Sequence, residues 1–297
     1  MAYTDTGTDM GTGTSRIPTK TPPANLNRKA EHATDSMKAQ VVILCGGMGT
    51  RLREETEYRP KPLVEIGGKP VLWHIMKIYS HYGFNDFILC LGYKGSMIKD
   101  FFLNYHLMNS DFTLRLNSGR EPELHNSLRN DQWTITFADT GAETMTGARI
   151  KRIERYVTGD QFMMTYGDGV ADINLSTLWD FHLAHGRIAT VTGVHPLSRY
   201  GELSMVGSSV KEFNEKPLDQ SGFISGGFFV FQRKLFDYLS DDDNCALEQE
   251  PLEQLTREGQ LIGYLHHGFW HCMDTYRDFL ALNESWKKGA PWRVWAK

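Results

Sequence analysis

The chain has 297 residues, 40% of them hydrophobic, and a formal net charge of −4, enough to build one large α/β domain or two small ones around a sizeable core. An acidic balance argues against nucleic acid as a partner, which leaves a basic footprint, but not against a local basic pocket for small anions. No apolar run approaches the ~20 residues needed to span a bilayer, and no apolar segment at the N-terminus reads as a secretory signal, so the expectation is a soluble cytoplasmic protein without a membrane partner.

Residues 1–36 are rich in Thr, Gly, Pro and charge, a composition that cannot bury enough surface to offset its ordering entropy, and read as a disordered tail ahead of a domain over 37–297. Ala39 to Cys45 is a nearly continuous apolar run ending in Gly46-Gly47 and predicts a strand buried on both faces. Val71 to Tyr82 has helical spacing and stops before Gly83, a C-terminal cap. Strand patterns follow at Asp86–Leu91, Trp133–Ala138 and Phe162–Tyr166, with helices at Lys94–Met108 and Ala148–Val157. Later segments at Ile188–Val194, Leu203–Val206, Ser209–Phe213 and Phe228–Phe231 read as strands, and Ala246–Glu258 and Tyr276–Lys287 as helices. Strands alternating with helices predict an α/β fold with a mostly parallel central sheet, followed by a small antiparallel C-terminal addition.

Ligands of open α/β sheets gather outside the carboxyl ends of the strands. The first such end is Leu44-Cys45-Gly46-Gly47-Met48-Gly49-Thr50-Arg51, where glycines allow close backbone approach to phosphate and Arg51 adds a charged fork. Lys61 follows, stiffened between Pro60 and Pro62. The spacing G-x-G-x-x-G is absent from this loop and a P-loop pattern from the whole chain, which removes the usual warrants for a dinucleotide oxidoreductase or a P-loop NTPase. Asp168 stands between Gly167 and Gly169 after a buried strand, and Asp274 precedes the last helix. Two such carboxylates suit Mg²⁺ shared with phosphates, while Asp274 equally suits a helix N-cap. The four cysteines, Cys45, Cys90, Cys245 and Cys272, are far apart and read as free thiols. His266, His267, His271 and Cys272 crowd together, but strand spacing would scatter them over both faces.

The motifs Gly46-Gly47-Met48-Gly49-Thr50-Arg51-Leu52, Lys61-Pro62, Gly167-Asp168-Gly169 and Glu215-Lys216-Pro217 resemble the nucleotide-diphospho-sugar pyrophosphorylases. The longer runs Arg59–Met76, Met145–Gly147, Gly226–Val230 and Glu248–Leu252 resemble the branch that transfers a cytidylyl group to glucose 1-phosphate. The resemblance implies a Rossmann-like nucleotidyltransferase fold, CTP and a sugar 1-phosphate as substrates, Mg²⁺ as cofactor and a homo-oligomer. It also implies that Leu44, Cys45, Gly46, Gly47 and Met48 contact the nucleotide, that Gly49, Thr50 and Arg51 wrap the phosphates, and that Lys61 binds them. Asp168 and Asp274 would hold the metal, Thr144, Arg149 and Gly167 would touch substrate, and Lys216 would take the sugar phosphate.

Where base and sugar should lie, several alternatives stay open. Asp139, at a strand end, could accept from the cytosine amino group or hydrogen-bond its own turn. Ser225 replaces the Asn usual in the branch, Leu247 a Trp, Thr144 a Ser, and Tyr200-Gly201-Glu202 the usual Phe-Gly-Ala, which leaves a modified hexose as an alternative to glucose. UTP or dTTP in place of CTP, and an idle sensor of nucleotides, are the other readings. Trp286, Trp292 and Trp295 suit either a subunit interface or their own core.

Overall fold

The computed structural model describes residues 39–116, 121–125, 131–195, 201–206, 208–215 and 222–296. The expected tail and Lys216 lie outside them. In chain order the strands are β1 (Gln40–Cys45), β2 (Glu65–Ile66), β3 (Lys69–Pro70), β4 (Asp86–Leu91), β5 (Phe112–Thr113), β6 (Glu123–Leu124), β7 (Thr134–Asp139), β8 (Gln161–Tyr166), β9 (Gly169–Ala171), β10 (Ala189–Val194), β11 (Gly201–Val206), β12 (Ser209–Glu215), β13 (Ile224–Gln232), β14 (Leu261–His266) and β15 (Trp270–Cys272).

Seven of them form the central sheet in the order β14-β10-β13-β8-β1-β4-β7. Pairing is parallel from β8 through β1 and β4 to β7, and between β10 and β14; only β13 runs the other way, antiparallel to both neighbours. The expected mostly parallel sheet is therefore present, and the antiparallel element is a strand inside it plus the separate hairpin β11–β12.

β1 explains why its sequence shows no polar alternation. Val41, Ile43 and Cys45 enter one core layer with Val71, Leu72, Ile75 and Met76 of the helix Val71–His81. Val42 and Leu44 enter the other, with Ile150 and Leu255 from the helices Thr146–Arg152 and Glu250–Arg257. Covered on both faces, the strand is apolar from Val41 to Cys45, and burying each such side chain contributes about 1.5–3 kcal/mol. The parallel strands end together, so the segments after Cys45, Leu91, Asp139 and Tyr166 meet along one edge of the sheet.

Three helices and one strand of the central sheet differ from expectation. The helix expected over Lys94–Met108 breaks at Asn104 into Gly95–Leu103 and Tyr105–Met108. That expected over Ala148–Val157 is instead Thr146–Arg152 followed by a short turn at Glu154–Tyr156. The one expected over Ala246–Glu258 begins only at Glu250, with Pro251 in its first turn, where a missing N–H costs nothing. Ahead of it, Leu247 N–H donates to Thr146 Oγ1 at 2.9 Å, which ties the segment to another helix. Strand β14 was not expected at all. Trp286, Trp292 and Trp295 pack around His74 of their own chain, with ring centroids 4.9, 6.2 and 6.0 Å away. Among the described residues no helix is long and apolar enough to cross a membrane.

Candidate active site

The loop after β1 is shaped by two glycines. Gly49 sits at φ 64, a left-handed conformation that side-chain-bearing residues rarely adopt, and its carbonyl accepts from Leu52 N–H and Thr56 Oγ1 at 2.9 Å each. A Cβ at Gly46 would overlap the Arg149 guanidinium. Gly167 N–H donates to Leu44 O at 3.0 Å, which stitches the β1 and β8 ends side by side and brings Asp168 beneath the loop.

Asp274 arrives from the far end of the chain through a short ladder. β15 pairs antiparallel with β9, with Cys272 opposite Gly169, and Met273 N–H donates to Asp168 O at 2.9 Å. The following helix, Tyr276–Lys287, is capped not by Asp274 but by Thr275, whose side chain accepts from Asp278 N–H in a reciprocal capping box. The Asp274 carboxylate is thereby left for the cleft.

Lys61 Nζ lies 2.6 Å from Asp168 Oδ2 and 2.7 Å from Asp274 Oδ1, while Arg51 makes a two-pronged contact to Asp274 at 3.2 Å for each prong. Burial pulls the Lys61 pKa down, but the Asp168 charge and the hydrogen bonds to both carboxylates outweigh it, and the net direction is up. Burial likewise raises the Asp274 carboxyl, and the Lys61 hydrogen bond with the Lys61 and Arg51 charges overcomes it to leave that pKa low. Both groups are thus held in their charged forms, two cations clustered with two anions. The cleft around them, about 260 Å³, is also lined by Tyr166, Ser225, Gly226, Trp270 and Cys272.

Arg149 is placed differently. It is 4% exposed and donates to the carbonyls of Gly46, Leu91, Gly141 and Ala142 and to Thr140 Oγ1, at 2.6 to 3.2 Å. Burial lowers its pKa. Its guanidinium fills the space under the loop and ties together the ends of β1, β4 and β7. Thr144 is also engaged, donating to Asp243 at 2.9 Å and accepting from Arg152 at 2.7 Å. Asp139 Oδ1 accepts from Gly141 N–H at 3.2 Å, the turn alternative of the two read from the sequence.

The histidines near the C-terminus do not gather into a metal site. His266 pairs with Asp172 at 3.0 Å and His271 with Asp278 at 3.1 Å. Among the described residues the metal-competent donors that converge are Asp168, Cys272 and Asp274. The sequence reading assigned Cys272 no part in the cleft, nor Tyr166, whose hydroxyl donates to Glu248 Oε1 at 2.5 Å while Thr146 donates to Oε2 at 2.5 Å. The alternation Trp270-His271-Cys272 ahead of Asp274 was the available signal, since it puts Trp270 and Cys272 on one face of a strand.

The nucleotidyl transferase family model matches residues 40–288. The chain belongs to the nucleotidyl transferase family. It is 50% identical over 261 residues to a glucose-1-phosphate cytidylyltransferase of Salmonella typhi, an alignment covering 87% of this chain and all of that one. It is 47% identical over 260 residues, again 87% of this chain and all of the other, to a probable glucose-1-phosphate cytidylyltransferase of Bacillus subtilis. A crystal structure of HddC from Yersinia pseudotuberculosis superposes with a TM-score of 0.61 at 24% identity, covering 84% of this chain and 99% of that one; at that identity the likeness speaks for the fold.

Proposed function

We propose that this nucleotidyltransferase transfers CMP from CTP to α-D-glucose 1-phosphate, giving CDP-glucose and pyrophosphate. The observation that carries base and sugar is the 50% identity along the full length of the Salmonella typhi enzyme. The clustered Arg51, Lys61, Asp168 and Asp274 support the chemistry.

In this reading a phosphate oxygen of glucose 1-phosphate attacks the α-phosphorus of CTP in line. The new O–P bond forms as the bond to the bridging oxygen breaks, and pyrophosphate leaves with that electron pair. The attacking oxygen is already anionic near neutral pH, so no general base is required. The barrier is the mutual repulsion of two polyanions, and catalysis rests on holding them together and neutralising the leaving group. Arg51 offers its fork to the triphosphate and Lys61 its ammonium, each exchanging carboxylate for phosphate oxygens. Gly46 to Thr50 supply backbone N–H groups, and Lys216 would take the sugar phosphate by resemblance. Asp168 and Asp274 fit Mg²⁺: both are hard oxygen donors, and the pair already accepts a positive charge from Lys61. Bound there, Mg²⁺ would supply charge neutralisation on the phosphates.

A modified hexose 1-phosphate is the second reading. Ser225 lines the cleft, and a hydroxyl reaches less far than the amide it replaces and offers fewer hydrogen bonds. A cytoplasmic homo-oligomer belongs to the same proposal; the exposed Leu103, Met108, Phe112, Leu114 and Leu116 support the oligomer, since exposed apolar surface invites a partner.

Pyrophosphate release with Mg²⁺ and glucose 1-phosphate, compared across CTP, UTP, dTTP, ATP and GTP, tests the reading. Release with CTP above all others is expected. A preference for another nucleotide overturns the cytidylyl assignment, and silence with glucose 1-phosphate but turnover of another hexose 1-phosphate overturns the sugar.

A further inference from the structure

A soft donor stands beside the two hard ones. Cys272 Sγ and one carboxylate oxygen each from Asp168 and Asp274 lie within 4.8 Å of one another. Metal–ligand bonds of roughly 2.0–2.4 Å let one ion reach donors up to about twice that length apart. The thiol is fixed in place, because Cys272 is pinned opposite Gly169 in the β9–β15 ladder and the chain turns into the cleft immediately after it. Mg²⁺ has little affinity for sulfur, whereas Zn²⁺, Cd²⁺ and Co²⁺ accept mixed oxygen and sulfur donors.

We propose that Asp168, Cys272 and Asp274 form a mixed oxygen–sulfur site that captures thiophilic divalent ions in competition with Mg²⁺, and so makes the enzyme sensitive to zinc-class metals. The competition rests on the proposed function, in which the same two carboxylates serve Mg²⁺. On capture the Cys272 S–H bond breaks, its proton goes to solvent, and the sulfur electron pair forms the bond to the metal. The Lys61 ammonium leaves the two carboxylates as the dication replaces it. No electron is transferred. The remaining thiols offer no rival site: Cys45 and Cys90 are buried, and Cys245 belongs to no converging donor group among the described residues.

Cobalt is the probe that separates sulfur from oxygen ligation. Titrating the full chain with Co²⁺, without substrates, is expected to give a thiolate-to-cobalt charge-transfer band in the near ultraviolet that saturates at about one equivalent. The band should persist in Cys245→Ser and vanish in Cys272→Ser. The Zn²⁺ concentration that halves CMP transfer, each variant scaled to its own uninhibited rate, should rise at least about tenfold in Cys272→Ser, since losing even a supporting contact costs 10–100-fold in metal affinity. Absence of the band in the wild-type chain, or its survival in Cys272→Ser, overturns the proposal, and the wild-type spectrum decides even where the variant does not fold. The magnesium reading fails separately: undiminished Mg²⁺-dependent transfer in Asp274→Asn would refute it, while a wild-type cobalt band lost in Cys272→Ser and kept in Cys245→Ser would still establish the Cys272 ligand.

Discussion

Two arginines at the same sheet edge differ in burial, and the difference suggests how the proposed site would divide into parts that act and parts that support. The Arg51 side chain is 71% exposed and, among the described residues, pairs with Asp274, so a phosphate can take over its contact at small cost. Arg149 is 4% exposed and gives its N–H groups to four backbone carbonyls and a hydroxyl. Releasing it toward a ligand would leave those acceptors unpaired, at about 1–3 kcal/mol each. The resemblance gave both residues to the substrate. In the proposed site their surroundings would leave Arg51 free to bind and Arg149 to hold the loop in place.

Substitutions at the two places should therefore fail in opposite ways. The largest activity loss is expected at the centre of the cluster: Lys61→Met should lower kcat/KM on the order of 10³-fold, because it removes a charge aimed at the phosphates. Arg51→Ala should cost roughly 10²-fold in kcat/KM and leave the urea midpoint within the range of a surface change, about 0.5 kcal/mol. Arg149→Met should lower the stability read from urea unfolding by about 2–4 kcal/mol. A stable Arg149→Met enzyme, or an Arg51→Ala chain that unfolds early, would break the division. Gly46→Ala sharpens it, since the new Cβ overlaps the Arg149 guanidinium and should cost about 1–3 kcal/mol by crowding.

A pH effect lies away from the cleft. Burial lowers His74 and His182 to about 4 each, against about 6.5 in an unfolded chain. Between those values the unfolded state binds protons that the folded state refuses, so stability rises with pH through the window from about 4 to 6.5 and is lost as pH falls. Urea midpoints at pH 5 and pH 7 should differ in that direction, and His74→Gln should flatten the difference.

Much of the fold was legible because its signals are local. β1, β4 and β8 are short apolar runs ended by glycine, and Lys61 between two prolines needs no distant partner to stand out. β14 was missed because Leu261–His266, an edge strand with no position fully buried, has its apolar residues interrupted by Gly263. The meeting of Asp168 with Asp274 depends on the pairing of the three-residue strands β9 and β15, a long-range contact that the local alternation of Trp270 to Cys272 does not reveal. The N-cap alternative left open for Asp274 falls to its neighbour, since Asp274 and Thr275 are both good capping residues and the geometry chose Thr275.

The central claim is that the cluster beneath the Gly46–Arg51 loop transfers the nucleotidyl group, and Asp168→Asn tests it most directly. CDP-glucose formation from CTP, glucose 1-phosphate and Mg²⁺ can be followed by phosphorus NMR in both chains, with urea midpoints measured alongside. The account predicts turnover by the wild-type chain and a fall of at least about 10²-fold in the variant at a retained fold. Wild-type turnover by a folded Asp168→Asn chain would place the chemistry elsewhere.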